Sequence, residues 1–212
     1  MNKIIIICIF ASILCFSNIY ANEQSNNIDN IQDNQVIAAA SDISEILNKA
    51  EEGNPQAQNK LGDYYRLGIN VEKNPKTAFK WYKIASKKNF NKALNNMGMC
   101  FMTGFGVEKN EVEAVKWFKK GYEAGDITAS KNLGNCYFYG IGIEQNHVDA
   151  INCFDQSAQK GYPPGMHNLA NCLYHGYGAN KDLEESEYWY ESAKNCGYVK
   201  DKNDFGLFDW SE

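Results

Sequence analysis

The chain is 212 residues long, 44% apolar and 22% charged, enough for one medium core or a short array of repeats. A net charge of −5 and a single arginine, Arg66, count against nucleic acid, which needs a basic face, and against phosphate recognition by guanidinium forks. Only 4 prolines beside 17 glycines point to helices with deliberate breaks rather than to a loop-rich fold.

The first residues differ from the rest. A short basic start, MNK, precedes an apolar run over Ile4–Leu14 and a small residue at Ala21, the order of a secretory signal peptide over 1–21. The run is too short for a comfortable transmembrane helix. The expected product is exported, periplasmic or extracellular, and not integral to the membrane after cleavage. Residues 22–40 are rich in Asn, Gln and Asp and too poor in bulky apolar groups to offset the entropy of ordering, so they read as a flexible leader. Residues 41–56 read as an N-terminal capping helix with a stop at Gly53.

From Ala57 the sequence repeats every 36 residues without insertion, in copies 57–92, 93–128, 129–164 and 165–200. A period in this range marks a solenoid or array. The fifth position reads Leu61, Met97, Leu133 and Leu169; the sixth reads Gly62, Gly98, Gly134 and Ala170; the twelfth is always glycine, at 68, 104, 140 and 176. Apolar fifth, eighth and ninth positions share one face of a first helix, A, and a later apolar group does so for a second helix, B. The twelfth-position glycine predicts a left-handed cap ending helix A. Glycine inside helix A at the sixth position costs about 1 kcal/mol relative to alanine, which predicts a close helix approach there. Loops such as GFGVEKN are therefore elbows between helices; the Gly-Lys-Ser/Thr ending of a phosphate cradle is missing.

The pattern A-x-x-x-L-G-x-x-Y-x-x-G-x-G, followed by A-x-x-W and a closing glycine, resembles the Sel-one-like repeat (SLR) family, a relative of tetratricopeptide repeats, over residues 57–200. The resemblance implies an all-α, right-handed α-solenoid of helix-turn-helix repeats whose A helices line a concave face. Residues 201–212 then read as a C-terminal partial repeat, with Phe205-Gly206 where Leu-Gly would fall and a short closing helix A.

No assembled catalytic or metal-binding set stands out, and no cofactor is expected. His147, His167 and His175 lack metal-ligand spacing. Some secreted members of the family are described as penicillin-binding or weakly β-lactam-hydrolysing, which directs attention to Ser157-Ala158-Gln159-Lys160 as a Ser-x-x-Lys motif. Its companion motifs are absent, and Ser157 stands at a helix-B packing position. Five cysteines follow the expected signal. Cys136 on helix A and Cys153 on helix B of the third copy face one seam and are a candidate disulfide; small buried hydrophobes are the other reading.

The functional expectation is a non-catalytic protein that binds another protein or a peptide on the concave helix-A face, with a β-lactam-binding or cell-wall-processing protein as the alternative. Helix-A positions not used for packing are the candidate groove: Met99, Met102, Asn135, Phe138, Tyr139, Asn171, Tyr174 and His175. Methionine and aromatic rows suit an adaptable peptide site, and asparagine amides suit backbone recognition.

Overall fold

Glycine stops and polar caps cut the chain into helices of nearly constant length. The computed structural model describes residues 42–202, 204–206, 208 and 210; the expected signal peptide and leader lie outside the described residues. Among the described residues there are nine helices and no strand. A helical segment over 42–51 (α1) precedes four hairpins: α2 (Pro55–Leu67) with α3 (Pro75–Ser86), α4 (Asn91–Thr103) with α5 (Glu111–Glu123), α6 (Ile127–Tyr139) with α7 (His147–Gln159), and α8 (Pro163–His175) with α9 (Leu183–Asn195). Even-numbered helices are A helices and the odd ones from α3 onward are B helices. The result is an all-α solenoid.

Local chemistry explains the boundaries. Each A helix ends on its expected glycine, with φ of 77°, 74°, 70° and 78° along the chain, and the cap N–H donates to the carbonyl four residues back. Each B helix opens on a side-chain cap at Asn74, Asn110, Asn146 or Asp182, which accepts from the backbone N–H three residues on. Losing such a cap costs about 1 kcal/mol. The loop between them also sets how repeats stack. Gly142 has φ of 67°, and a Cβ there would stand 2.4 Å from the Glu111 carbonyl oxygen. The loop tip therefore rests on the first turn of the preceding B helix, as Gly106 rests on Pro75 and Gly178 on His147.

The sixth-position glycine has a different cause from a helix-to-helix approach. The neighbour that excludes a side chain is an aromatic ring at the twenty-sixth position of the same repeat. A Cβ on Gly62 would lie 2.5 Å from Tyr82, on Gly98 2.4 Å from Phe118, and on Gly134 2.5 Å from Phe154. These rings are fully buried, and each crosses its A helix through the gap that the glycine leaves. α1 covers the first hairpin: Ile46 and Ala50 pack with Ala57, Leu61 and Tyr64, and Gln58 Nε2 donates to the Ala50 carbonyl at 2.9 Å.

Successive A helices touch directly, α4 with α6 and α6 with α8, whereas no two B helices pack to a comparable extent. The A row is therefore the inside of the curve. The residues after α9 do not form the expected closing helix. Positions 198–201, 204–206, 208 and 210 have no regular secondary structure; A-helix side chains take the Asp204 and Gly206 carbonyls, and the Asp201 carbonyl also closes a turn with the Asp204 N–H at 2.9 Å.

Candidate peptide-binding groove

Asparagines on the A helices form a ladder along the inner face. Asn96 Nδ2 donates to Asn59 Oδ1 at 3.1 Å, Asn132 Nδ2 to Asn95 Oδ1 at 2.9 Å, and Asn168 Nδ2 to Asn135 Oδ1 at 3.1 Å. All six are buried. Buried amides must be partnered or they cost their desolvation, so the ladder ties each repeat to the one before it and fixes the amide orientations. Lys131 stands where Asn59 and Asn95 do in their repeats, which sends Asn168 to Asn135 instead.

The donors left over face the chain's own residues 201–210. Asn135 Nδ2 donates to the Gly206 carbonyl at 2.8 Å, and Asn171 Nδ2 to the Asp204 carbonyl at 3.3 Å. His167 Nε2 lies 3.1 Å from the Asp201 carbonyl and 3.0 Å from that of Asp204. Both are acceptors, so Nε2 carries the proton. Burial of the His167 ring pushes its pKa down, against the pull of those two carbonyls. The Tyr190 hydroxyl donates to Asn171 Oδ1 and also reaches the Lys202 carbonyl at 3.2 Å.

Aromatic contacts run beside these hydrogen bonds. Phe205 stacks on Phe138 with centroids 4.2 Å apart, and Phe208 stacks on Phe118. Trp210 meets Phe105 edge-on at 5.4 Å, with the Arg66 guanidinium 4.9 Å from its ring centre. Arg66 is held in place from below. Asp63 Oδ1 accepts from the Tyr82 hydroxyl at 2.7 Å and from Arg66 Nη2 at 3.3 Å, and Arg66 Nε donates to the Tyr82 oxygen at 3.1 Å. Burial raises the Asp63 pKa, outweighing the Tyr82 hydroxyl and the Arg66 charge that act the other way.

Of the residues expected to line the groove, Asn135, Phe138 and Asn171 contact the segment directly. Tyr174 flanks it, with the Lys202 ammonium 5.7 Å from its ring. Tyr139 and Tyr174 are exposed, and half-buried His175 meets Tyr174 edge-on and lies tilted against Tyr177. Met99 and Met102 are not exposed adaptable contacts. They are 1% and 5% exposed and belong to a packed cluster with Phe118 and Leu133, onto which Phe208 packs. His167, at the third position of its repeat, lies on the row that counting assigns to the groove, whereas sequence reasoning missed the twenty-sixth-position aromatics as groove elements. The latter recur with the 36-residue period, which was a usable signal.

Two alternatives that the sequence left open do not assemble. Cys136 and Cys153 share one buried cluster but remain free thiols, as do Cys100, Cys172 and Cys196. Burial pushes the Cys136 thiol up and that of Cys153 up to about 12, so both stay protonated and inert. Ser157 is fully buried, and its hydroxyl donates to the Ile127 carbonyl at 2.8 Å, while Lys160 reaches the Gly125 carbonyl instead. The Ser-x-x-Lys spacing does not bring its two side chains onto one substrate. No helix of the described residues is long and apolar enough to cross a membrane.

The comparisons agree with this architecture. Comparison with curated proteins finds no match. Among solved structures, the protective antigen c5321 of uropathogenic Escherichia coli, which displays an SLR fold, is similar at 28% identity with a TM-score of 0.70. A Sel1 repeat protein from Oxalobacter formigenes is similar at 32% identity with a TM-score of 0.67. Each match covers 74% of this chain, and the chain spans 33% and 65% of the two structures' own lengths. The Sel1 repeat model matches residues 55–90, 91–126, 128–162 and 163–198, one copy for each hairpin described above. With four hairpins capped, stacked and spaced in this way, the chain belongs to the Sel1 repeat family, a fold generally used for protein–protein interaction.

Proposed function

We propose that this is an exported, non-catalytic adaptor that binds an extended segment of another protein along the inner face of its A helices. The observation that carries the reading is the hold of Asn135, Asn171 and His167 on backbone carbonyls of a non-helical segment. Side-chain amides that read carbonyls grip a peptide backbone whatever its sequence, while rings such as Phe138 select what projects from it. The acidic balance and the lone arginine favour protein over nucleic acid as the partner.

The test is affinity capture from the source organism followed by mass spectrometry. Wild-type protein should retain a partner that N135A/N171A and Y139A/Y174A variants of unchanged helicity release. Equal capture by all three would remove the inner face as the binding surface. Export rests on the Ile4–Leu14 run and is checked by N-terminal sequencing of the native protein, which should begin at Asn22. The burial of Ser157 weighs against β-lactam hydrolysis; nitrocefin turnover abolished by S157A would reverse that reading.

A further inference from the structure

The described residues between 201 and 210 already occupy the inner face, and the manner of their occupation says what else fits there. Each repeat presents one aromatic from its twenty-sixth position, and the segment meets all four in turn. The Lys202 ammonium lies 4.7 Å from the ring centre of Tyr190, and Phe205 is 6.5 Å from Phe154. Phe208 stacks on Phe118 at 6.1 Å with 4° between the planes, and Trp210 is 6.2 Å from Tyr82. The contact residues are therefore three, three and two positions apart. An extended chain advances about 3.3–3.6 Å per residue, and packed helices lie about 8–10 Å apart. Three extended residues thus span one repeat; the step from Lys202 to Phe205 starts in a turn, with the Asp204 N–H donating to the Asp201 carbonyl at 2.9 Å, and still reaches the next ring. Two periodicities match here, and the groove takes one large side chain per repeat from a segment running opposite to repeat order.

The fit is incomplete at the second repeat. Asn95 Nδ2 is fully buried and finds no acceptor among the described residues. In the next two repeats the position-seven amides of Asn135 and Asn171 hold carbonyls of the segment; in the second that position is Met99. A buried donor without an acceptor is a standing cost, which a segment placing a carbonyl there would remove.

We infer that residues 201–210 are a tethered stand-in for the partner: the groove's ligand is an extended protein segment carrying large aromatic side chains two to three residues apart, and it binds by displacing the chain's own segment. This rests on the inner face being the binding surface. Only five residues separate α9 from the segment, and a short flexible tether holds its end at an effective concentration on the order of millimolar. A weak or mismatched peptide is therefore excluded, and the partner must be a better fit than the resident.

The test uses the full chain and, as probe, a fluorescein-labelled peptide with the sequence of residues 201–210, DKNDFGLFDW. The F205A/F208A/W210A variant should bind this peptide roughly 10- to 100-fold more tightly than wild type does, measured by anisotropy. A probe with its three aromatics changed to alanine should bind neither protein. Equal affinity for both proteins, or no binding to a variant of wild-type helicity, overturns the inference. Should the variant lose helicity, hydrogen exchange on wild type decides: excess peptide should speed exchange within residues 201–210, and unchanged exchange overturns it. A wild-type dimer that dissociates in the variant would mean that two copies trade segments, which also overturns it. Capture of a partner through the inner face, equally by wild type and variant, would remove displacement while leaving the binding surface standing.

Discussion

At repeats 3 and 4 the inner face meets the segment with neutral donors, Asn135, His167 and Asn171, each aimed at a backbone carbonyl. At repeat 1 it offers a charged cluster, Asp63 and Arg66 with the Tyr82 hydroxyl, whose guanidinium faces the ring of Trp210. One end grips the main chain and the other reads a side chain. Both stand on the same scaffold of twenty-sixth-position aromatic rings, which cross sixth-position glycines in the first three repeats. The difference teaches that repeat geometry supplies a common frame, while a few substitutions at the third, seventh and tenth positions decide what each part of it recognises.

The shared frame should break first and alike at both ends. Gly98→Ala and Gly134→Ala each drive a methyl into a fully buried ring and should cost about 1–3 kcal/mol. Equal drops in thermal midpoint are expected; unequal ones would mean that the two halves do not share one support. Next in size is Asn135→Ala, which strips the partner from both the Gly206 carbonyl and the Asn168 amide. A loss of roughly 1–2 kcal/mol in urea melts is expected, with faster hydrogen exchange in residues 201–206.

At the other end, Arg66→Lys keeps the charge but not the planar fork. The expected loss is about 0.5–1 kcal/mol, with Trp210 becoming more open to fluorescence quenching and the carbonyl contacts of repeats 3 and 4 unchanged. The smallest effect separates the ends by sign. His167 is held below its usual value by burial, so as pH falls through about 6.5 the unfolded chain takes the proton first and this end weakens. Asp63 is held above its usual value by burial, so acidification toward about 3.9 protonates the folded chain first and that end gains. In urea melts, His167→Gln should abolish the loss between about pH 7.5 and about pH 5, and Asp63→Asn the gain between about pH 5 and about pH 3.5. Shifts of the same sign in both variants would erase the distinction.

Much of the scaffold was legible because its causes are local. The left-handed caps at Gly68, Gly104, Gly140 and Gly176 act within one turn of their own helix, and apolar spacing within 13-residue helices marks each buried face. The Asn74, Asn110, Asn146 and Asp182 caps were equally readable at the eighteenth position and went unread. The groove was legible only in part. Asn135 and Asn171 could be placed on the inner row by counting, but Met99 and Met102 occupy the same kind of position and are packed away. Helical spacing says which side a residue faces, not what lies on top of it.

The sequence by itself determined the period, the helix pairs and their ends, since each is set by residues a few positions apart and recurs four times. Only the tertiary structure decided that the sixth-position glycines make room for rings, that the asparagines pair between repeats, and that Asp204, Phe205, Gly206, Phe208 and Trp210 lie along the inner face. Those outcomes rest on contacts such as Asn135 with Gly206, 71 positions apart. No pattern of near neighbours encodes such a contact, because it exists only once the stacked helices have formed a surface to receive it.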